Sequence, residues 1–324
     1  MRIVQQTQII IKRKFGFSEV LLTFRDFDQA HQLKKLLDQV VHSKKAGYCL
    51  SEVEAINQRY AIDYSNNLGQ GSYGTVLRGV DKKTGQLVAV KHVSKVGVNK
   101  DTMSQLKQEL ETLRVIHQQG KNQGVVQVLD IAECKENILI VMEFLDGGTL
   151  QQWLKGHKIA KGDRIKIFLY LCETIASFHE LGIAHRDLKM ENIIFEEKTK
   201  LPKIIDFGLS KIFLQGQTVS ATVGTLEFMA PEVLKGEFHN HLCDIWSIGV
   251  IGYIIMTGRH PFNLGLSETE LMHSIAHGHP SQLDLQLIEP QQVRSVITSM
   301  LTKEPSKRIS AKEAVKILHN QCGL

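Results

Sequence analysis

The sequence contains little of what marks a membrane-spanning or secreted protein. None of its apolar runs approaches the roughly 18–20 residues that a helix needs to cross a bilayer. The longest run, Ile245 to Met256, contains Trp246-Ser247 and two glycines, and it predicts a buried core helix instead. No long apolar stretch with small residues after it follows Met1 and Arg2, so we expect no secretory signal.

Cysteine is also scarce and irregularly placed. The five cysteines are odd in number, widely scattered and never in a C-x-x-C pair; they are Cys49, Cys134, Cys172, Cys243 and Cys322. This pattern favours free thiols in a reducing compartment over disulfides or a zinc site. We therefore expect a cytoplasmic protein, with a nuclear location also open. The sequence contains no internal repeat or low-complexity tract.

Positive charge is concentrated towards the amino terminus. The formal net charge is +5, and residues 1–61 alone carry ten Lys and Arg against six Asp and Glu. A basic segment favours an anionic partner, here weak contact with an acidic membrane surface. The alternative is the solvated face of an ordinary basic segment. We expect no nucleic-acid partner.

Residues 1–45 form an extension with a pattern of its own. Apolar residues cluster and alternate over residues 3–25 as they do in strands. From Asp26 to Val41 they recur at spacings of three and four, which predicts an amphipathic helix. Strands followed by one closing helix resemble the last third of a pleckstrin-homology domain, and the alternative is a plain regulatory or packing extension. Residues 46–61 are largely polar and predict a linker.

The pattern changes beyond residue 60. Short β-branched runs predict strands over residues 64–68, 75–80, 86–93, 125–134 and 137–144, with a helix over 103–116. Helical patterns then dominate over residues 150–153, 164–181, 244–256, 269–276, 291–301 and 311–319. The predicted fold class is α+β, with a small β-rich lobe, a larger helical lobe and a short strand-plus-helix extension in front.

A glycine-rich segment opens the small lobe. Gly69, Gly71 and Gly74 have the spacing G-x-G-x-x-G. Glycine permits a tight turn there and lets backbone N–H groups approach phosphate oxygens. The spacing alone is weak, because it also marks dinucleotide-binding turns. Here Thr75-Val76 continues as a strand instead of opening a helix, which argues against that alternative.

The third predicted strand carries Lys91, whose ammonium is suited to phosphate oxygens. Such a lysine needs a carboxylate to hold it. The candidates on the helix over residues 103–116 are Glu109 and Glu111, which point about 200° apart around the axis. An apolar stripe accompanies Glu109, so we predict that Glu109 faces inward and pairs with Lys91.

Two short strings supply the groups that phosphoryl transfer requires. Within His185 to Asn192, Asp187 can accept the proton of an attacking hydroxyl and Lys189 can neutralise a γ-phosphate. Asp206, fourteen residues past Asn192, opens an Asp-Phe-Gly string. Asn192 and Asp206 carry the oxygen ligands that Mg²⁺ prefers. Together the strings indicate transfer of a phosphoryl group from ATP to a hydroxyl.

With these motifs the chain, from about Tyr64 to Leu318, resembles the eukaryotic protein kinase family. Lys189, and Gly224-Thr225 ahead of Ala230-Pro231-Glu232, are similar to the serine/threonine branch. Three features are most similar to the calcium/calmodulin-dependent protein kinase group: the hinge glycines Gly147-Gly148, the string His260-Pro261-Phe262 and the ending over Lys303–Ala311.

The resemblance implies a bilobal kinase domain over residues 62–320 that uses ATP and Mg²⁺ and phosphorylates Ser and Thr of protein substrates. Its implied catalytic residues are Asp187, Lys189, Lys91 and Glu109, with Asn192 and Asp206 as metal ligands. Its implied nucleotide-binding residues are Leu68, Gly69, Gly71, Gly74, Val76, Ala89, Lys91, Met142, Glu143, Leu145 and Ile194. Met142 would border the pocket behind the adenine, and the backbone of Glu143 and Leu145 would hydrogen-bond the base.

Three further contacts are implied by the resemblance. Glu232 would form a buried ion pair with Arg308. Asp244 would cap the helix that follows it and hold the backbone of the catalytic loop. The hydroxyl of Thr225 would lie near the catalytic aspartate and lysine.

The sequence departs from the pattern of the group at three positions. Thr149 replaces the glutamate that follows the hinge glycines, which weakens a preference for basic substrates, although Glu191 remains. Ala221 replaces the usual phosphorylated threonine. The chain ends at Leu324, and no basic amphipathic helix follows the last predicted helix, so no calmodulin site is evident.

Hydroxyls flank the replaced threonine. Arg186 supplies a cation that could bind a phosphate on this segment. We expect autophosphorylation at Ser220 or Thr222, with Thr218 less favoured.

Two alternatives belong to other functional classes. One is a catalytically weak, kinase-like scaffold, and the presence of Lys91, Asp187, Asn192 and Asp206 counts against it. The other is a membrane-surface adaptor whose main role lies in residues 1–45. Small-molecule kinases share some of these positions but lack the Ala-Pro-Glu string and its arginine partner.

Overall fold

The computed structural model describes residues 7–12, 19–24, 52–71, 74–118, 123–134, 136–214, 216–262, 265 and 267–322. The chain divides into two compact units, Met1–Ala55 and Ile56–Leu324, and each is described by itself. Among the described residues, no helix combines the length and apolar character that a membrane span needs.

The first unit contains an antiparallel strand pair. Strand β1 (Thr7–Lys12) pairs with β2 (Glu19–Phe24), with Ile10 opposite Leu21. Strands within residues 3–25 are therefore confirmed. The helix predicted from Asp26 onwards lies outside the described residues, and the resemblance to a pleckstrin-homology domain stays a prediction.

A helix occupies much of the predicted linker. Helix α1 (Glu52–Arg59) ends directly before the first strand of the small lobe. Ile56 is only 3% exposed. Arg59 Nη2 lies 3.1 Å from Asp81 Oδ2, and its Nη1 lies 3.4 Å from Asp130 Oδ2. Residues 52–59 of the predicted linker are therefore helical, and one buried apolar side chain and one ion-paired arginine hold the end of this helix on the sheet.

The small lobe is a five-stranded antiparallel sheet. Its strands are β3 (Tyr60–Gly71), β4 (Gly74–Asp81), β5 (Leu87–Ser94), β6 (Val128–Glu133) and β7 (Asn137–Glu143). Their order is β3-β4-β5-β7-β6, so β5, which carries Lys91, is central. Helix α2 (Lys100–Gln118) connects β5 to β6 and contains the predicted helix. Strand β6 begins three residues later than predicted, because Val125 forms a bridge to Ile204 instead.

The larger lobe is mainly helical, as predicted. Its helices are α3 (Leu150–Gly156), α4 (Lys161–Glu180), α5 (Pro231–Leu234), α6 (Leu242–Thr257), α7 (Glu268–His277), α8 (Gln282–Gln286), α9 (Gln291–Met300) and α10 (Ala311–Cys322). Two antiparallel strand pairs accompany them: β8 (Ile183–Ala184) with β11 (Lys211–Ile212), and β9 (Ile193–Glu196) with β10 (Leu201–Ile204). Helices α5 and α8 are not predicted from the sequence, because they are too short to show a helical period.

Helix α6 is central to the larger lobe. Twelve of its 16 residues are buried, and its apolar side chains point in all directions, as expected of a helix surrounded by core. Gly252 permits close packing against α4, because a Cβ at this position would come 2.4 Å from the ring of Phe168. The buried core helix predicted over residues 245–256 is confirmed, and the α+β fold class is confirmed with it.

Candidate active site

A cleft of about 990 Å³ lies between the sheet and the larger lobe. Its volume is within the range of small-molecule sites. The predicted site residues that line it are Leu68, Gly69, Gly71, Val76, Ala89, Lys91, Glu109, Met142, Glu143, Leu145, Lys189, Asn192, Ile194 and Asp206. Val126, Ile140 and Phe207 also line it. The sequence does not reveal these three as site residues, because apolar residues of a core and of a cleft look alike in a sequence.

Gly74 has a role in the sheet, and its predicted part in nucleotide binding stays a prediction. It begins β4 opposite Gly71, and a Cβ there would lie 2.2 Å from the carbonyl oxygen of His92. Glycine is needed at this position because two backbones approach closely. Gly71 does line the cleft, where a Cβ would come 3.2 Å from Cε of Lys91.

Lys91 is held between two carboxylates. Its Nζ lies 2.5 Å from Oε1 of Glu109 and 3.2 Å from Oδ1 of Asp206. Glu109 is buried whereas Glu111 is exposed, so the pairing expected from the helix is the one observed. Burial acts to lower the pKa of Lys91, but attraction by the two carboxylates outweighs it and raises this pKa above its ordinary value. The cleft therefore contains an oriented, charged ammonium.

Asp244 of α6 holds the backbone of the catalytic loop. Its carboxylate accepts hydrogen bonds from the N–H groups of His185 and Arg186, both at 2.8 Å. Arg186 has a φ of 65°, a left-handed conformation uncommon outside glycine, and these bonds restrain it. The capping role predicted for Asp244 is wrong: α6 begins at Leu242, so Asp244 lies inside the first turn.

Asp187 belongs to a closed hydrogen-bonded group. Its Oδ1 accepts a hydrogen bond from the Thr225 hydroxyl at 2.8 Å, and its Oδ2 lies 3.0 Å from Nζ of Lys189. Lys189 Nζ also donates to the Thr225 hydroxyl at 3.1 Å. The hydroxyl thus lies where it was expected, and the carboxylate and the ammonium are fixed relative to each other. Among the described residues, Asp187 is not part of the cleft lining.

Asn192 and Asp206 can supply metal ligands. The amide nitrogen of Asn192 donates a hydrogen bond to the backbone oxygen of Asp187 at 2.9 Å. The amide oxygen can therefore serve as a ligand for a cation. In the part of the chain that the structure describes, no group of three or more His, Cys, Asp or Glu could hold a metal. One carboxylate and one amide fit Mg²⁺, which binds through few protein oxygens together with phosphate oxygens.

A buried ion pair anchors the segment that follows the catalytic residues. Arg308 Nη1 lies 2.8 Å from Oε1 of Glu232, and its Nη2 lies 3.0 Å from Oε2. The two side chains are 0% and 3% exposed. The predicted pair is therefore present, in the bidentate geometry that gives strong charge-assisted hydrogen bonds.

The fold and the site define a two-lobed enzyme of phosphoryl transfer. Residues 62–319 match the protein kinase domain family. The chain is 34% identical over 269 residues to Myosin light chain kinase family member 4 of Homo sapiens, covering 81% of this chain and 67% of that relative. It is 32% identical over 226 residues to Calcium-dependent protein kinase 5 of Plasmodium berghei, covering 69% and 39% of the two chains. It is 30% identical over 258 residues to the SNF-related serine/threonine-protein kinase of Rattus norvegicus, covering 78% and 33%.

The chain belongs to the eukaryotic serine/threonine protein kinases and is related to the calcium/calmodulin-dependent protein kinase group. It is an enzyme that transfers phosphoryl groups to Ser and Thr of protein substrates. The scaffold and adaptor alternatives are not favoured.

Proposed function

We propose that the kinase binds ATP with Mg²⁺ in the cleft and that Asp187 receives the proton of the substrate hydroxyl. The observation that carries the proposal is the contact of Asp187 with both Lys189 and Thr225. This arrangement supplies a base and a cation whose positions are fixed relative to each other. Preorganised charges of this kind need little rearrangement in the transition state.

Three further side chains would act on the nucleotide or its metal ion. Lys91, held by Glu109, would contact the phosphates as a point charge. Asp206 and the amide oxygen of Asn192 would hold Mg²⁺. The bound ion would neutralise negative charge on the phosphate oxygens.

The adenine would lie between apolar side chains from both lobes, Val76 and Ala89 above and Ile194 below. The N–H of Glu143 already donates to the carbonyl of Gln127 at 2.9 Å. We therefore assign the backbone N–H that donates to the base to Leu145.

Two matched variants test these roles. Asp187→Asn and Asp206→Asn should each lower kcat by at least roughly 100-fold, the lower end of what positioned acid–base groups contribute. Asp187→Asn should keep its affinity for Mg-ADP within a few-fold, because Asp187 is proposed to contact the substrate hydroxyl and not the nucleotide. Asp206→Asn should weaken that affinity and need more Mg²⁺ for residual activity.

Steady-state kinetics on a protein substrate and calorimetry with Mg-ADP give both readouts. The exposed Asp163 on α4 offers a control, Asp163→Asn, which should behave as wild type. Near-wild-type turnover of Asp187→Asn or of Asp206→Asn would contradict the role assigned to that residue.

We also propose that residues 1–45 contact an acidic membrane surface weakly, supported by the excess of Lys and Arg there. Sedimentation with phosphatidylserine vesicles at low and high salt tests this, and binding that salt does not weaken would contradict it.

A cytoplasmic location is a further proposal, to be checked by fractionation of expressing cells. The scattered cysteines of the sequence, with no C-x-x-C pair, are the reason for this proposal.

A further inference from the structure

The side chain of Glu143 has partners that the chemistry described above does not use. Its Oε2 lies 2.6 Å from Nζ of Lys203, and its Oε1 accepts a hydrogen bond from the N–H of Gln127 at 2.7 Å. The side chains of Glu143 and Lys203 are 18% and 12% exposed. Both side chains are thus largely shielded from water. An ion pair in such surroundings is stronger than one at the surface.

These contacts join three parts of the kinase at the hinge, the segment that runs from the end of β7 to Gly147-Gly148. Glu143 is the last residue of β7, and Gln127 directly precedes β6 in the same sheet. Lys203 belongs to β10 of the larger lobe and lies opposite Ile194, which lines the cleft. One carboxylate therefore ties the sheet of the small lobe to the strand pair beneath the nucleotide site.

Negative charge is concentrated around Lys203. Glu196 Oε2 lies 3.9 Å from its Nζ, in addition to the closer contact with Glu143. The buried Tyr170 hydroxyl lies in the same field. The pKa of Tyr170 is raised to about 12, chiefly by burial and then by the negative charges of Glu173, Glu196 and Glu143. The carboxylates here need a cation, and Lys203 contacts two of them.

We infer that Lys203 is a positioning residue for the nucleotide, acting through Glu143. By clamping that side chain against the larger lobe, Lys203 holds the hinge backbone in the conformation that receives the adenine. This inference rests on the proposed binding of ATP at the hinge. Lys203 lies outside the groups that carry out transfer, so its loss should weaken nucleotide binding and spare the chemical step.

The test compares Lys203→Met with Lys200→Met. Lys200 lies close by in sequence, just before β10, but its ion pair with Glu197 is about half exposed (52% and 51%). Lys203→Met should raise the Kd for Mg-ADP and the KM for ATP together, by about fivefold or more, the lower end of typical coupling between sites. The kcat should stay within about twofold, the signature of lost binding that ground and transition states share. Lys200→Met should match wild type in all three.

Two further variants test the route through Glu143. Glu143→Gln should reproduce the loss of nucleotide affinity. The double variant with Lys203→Met should lose no more affinity than either single variant, because both substitutions remove the same ion pair. Lys203→Arg should recover part of the affinity. If Lys203→Met fails to fold, as judged by circular dichroism, Lys203→Arg and Glu143→Gln carry the test.

Unchanged Mg-ADP affinity in Lys203→Met, or additive losses in the double variant, would overturn the inference. A fall in kcat at unchanged KM would overturn it as well. Wild-type binding of Mg-ADP separates the two proposals. If wild type binds and Lys203→Met binds equally, only the positioning role fails, whereas no binding by wild type would reject the nucleotide site itself.

Discussion

Among single residues, Thr225 connects the two charged groups that we propose act on the substrate. A hydroxyl can donate to a carboxylate and accept from an ammonium at the same time. Thr225 does both, with Asp187 and Lys189 as partners. A neutral side chain therefore holds the carboxylate and the ammonium in fixed positions relative to each other.

Thr225→Val removes this hydroxyl at nearly constant volume. Loss of hydrogen bonds to charged groups should lower kcat by about tenfold or more. The KM for ATP should change little, because Lys91 and its carboxylates are untouched. Thr225→Ser, which keeps the hydroxyl, should retain most activity, and steady-state kinetics distinguish the three proteins. Equal activity of the Val and Ser variants would show that the hydroxyl has no role.

Among secondary-structure elements, helix α6 and the catalytic loop are coupled through Asp244. Besides two loop N–H groups, its carboxylate contacts Nε2 of His179 at 3.2 Å. Burial acts to raise the pKa of Asp244. The hydrogen bond and charge of His179, with His185 and the N–H of Arg186, outweigh burial and hold that pKa below its ordinary value.

The sign of the pH dependence follows from this shift. Because the pKa of Asp244 is lower in the folded chain, its stabilisation is present above the ordinary pKa of 3.8 and is lost as the pH falls below it. Asp244→Asn should lower the free energy of unfolding at neutral pH by about 3 kcal/mol, since a buried charge network is broken. From about pH 5 downwards, the free energy of unfolding of the Asp244→Asn variant should fall less steeply than that of wild type.

Urea unfolding at several pH values measures both effects. Asp163→Asn, at an exposed position of α4, is the control for removal of a carboxylate. Parallel pH profiles for wild type and Asp244→Asn would show that Asp244 does not titrate as described.

A second element, the segment from Thr218 to Thr222, carries the candidate phosphorylation sites. The hydroxyls of Ser220 and Thr222 donate to backbone carbonyls at 2.7 and 3.4 Å, and both residues are exposed. We expect phosphate on one of them in the active enzyme, because a phosphate adds charge that Arg186 can attract. Mass spectrometry locates it.

The double variant Ser220→Ala/Thr222→Ala should lose activity by about fivefold or more if the phosphate orders the segment. Thr218→Ala is the matched control and should stay close to wild type. Full activity of a protein without phosphate on any of the three hydroxyls would reject this switch.

For the molecule as a whole, one continuous core joins the described parts of both lobes. It extends from Val93 and Leu106 in the small lobe to Ile175 and Leu318 in the larger lobe. All the residues proposed above to act on the nucleotide and the substrate lie in the second unit, so catalysis is expected to depend on that unit.

Two truncations compare the extension with helix α1. Deletion of residues 1–45 should leave kcat and KM within a few-fold, since every residue proposed to act on the nucleotide or the substrate lies in the second unit. Deletion of residues 1–59 also removes Ile56 and Arg59. It should lower Tm by about 5 °C, given that full burial of an isoleucine is worth about 2 kcal/mol. Thermal unfolding with activity assays measures both, and equal Tm values would show that α1 does not stabilise the small lobe.

The chemistry of this protein could be predicted from the sequence because it depends on groups close together in the chain. Asp187, Lys189 and Asn192 lie within six residues, so local backbone geometry brings them together in any protein that forms this loop. The Lys91–Glu109 pair was predictable for a similar reason, because a helical period decides which glutamate faces inward. The strands and the long helices followed from periods of two and 3.6 residues in the same way.

Contacts that depend on packing between distant elements were decided by the tertiary structure. Lys203 and Glu143 are 60 residues apart, and nothing around either residue in the sequence indicates its partner. The docking of α1 depends on Arg59 reaching Asp81 and Asp130, which the sheet brings together. A short polar stretch shows no such contact by itself, because an ion pair has no period along the chain and forms only where the folded backbone places both charges.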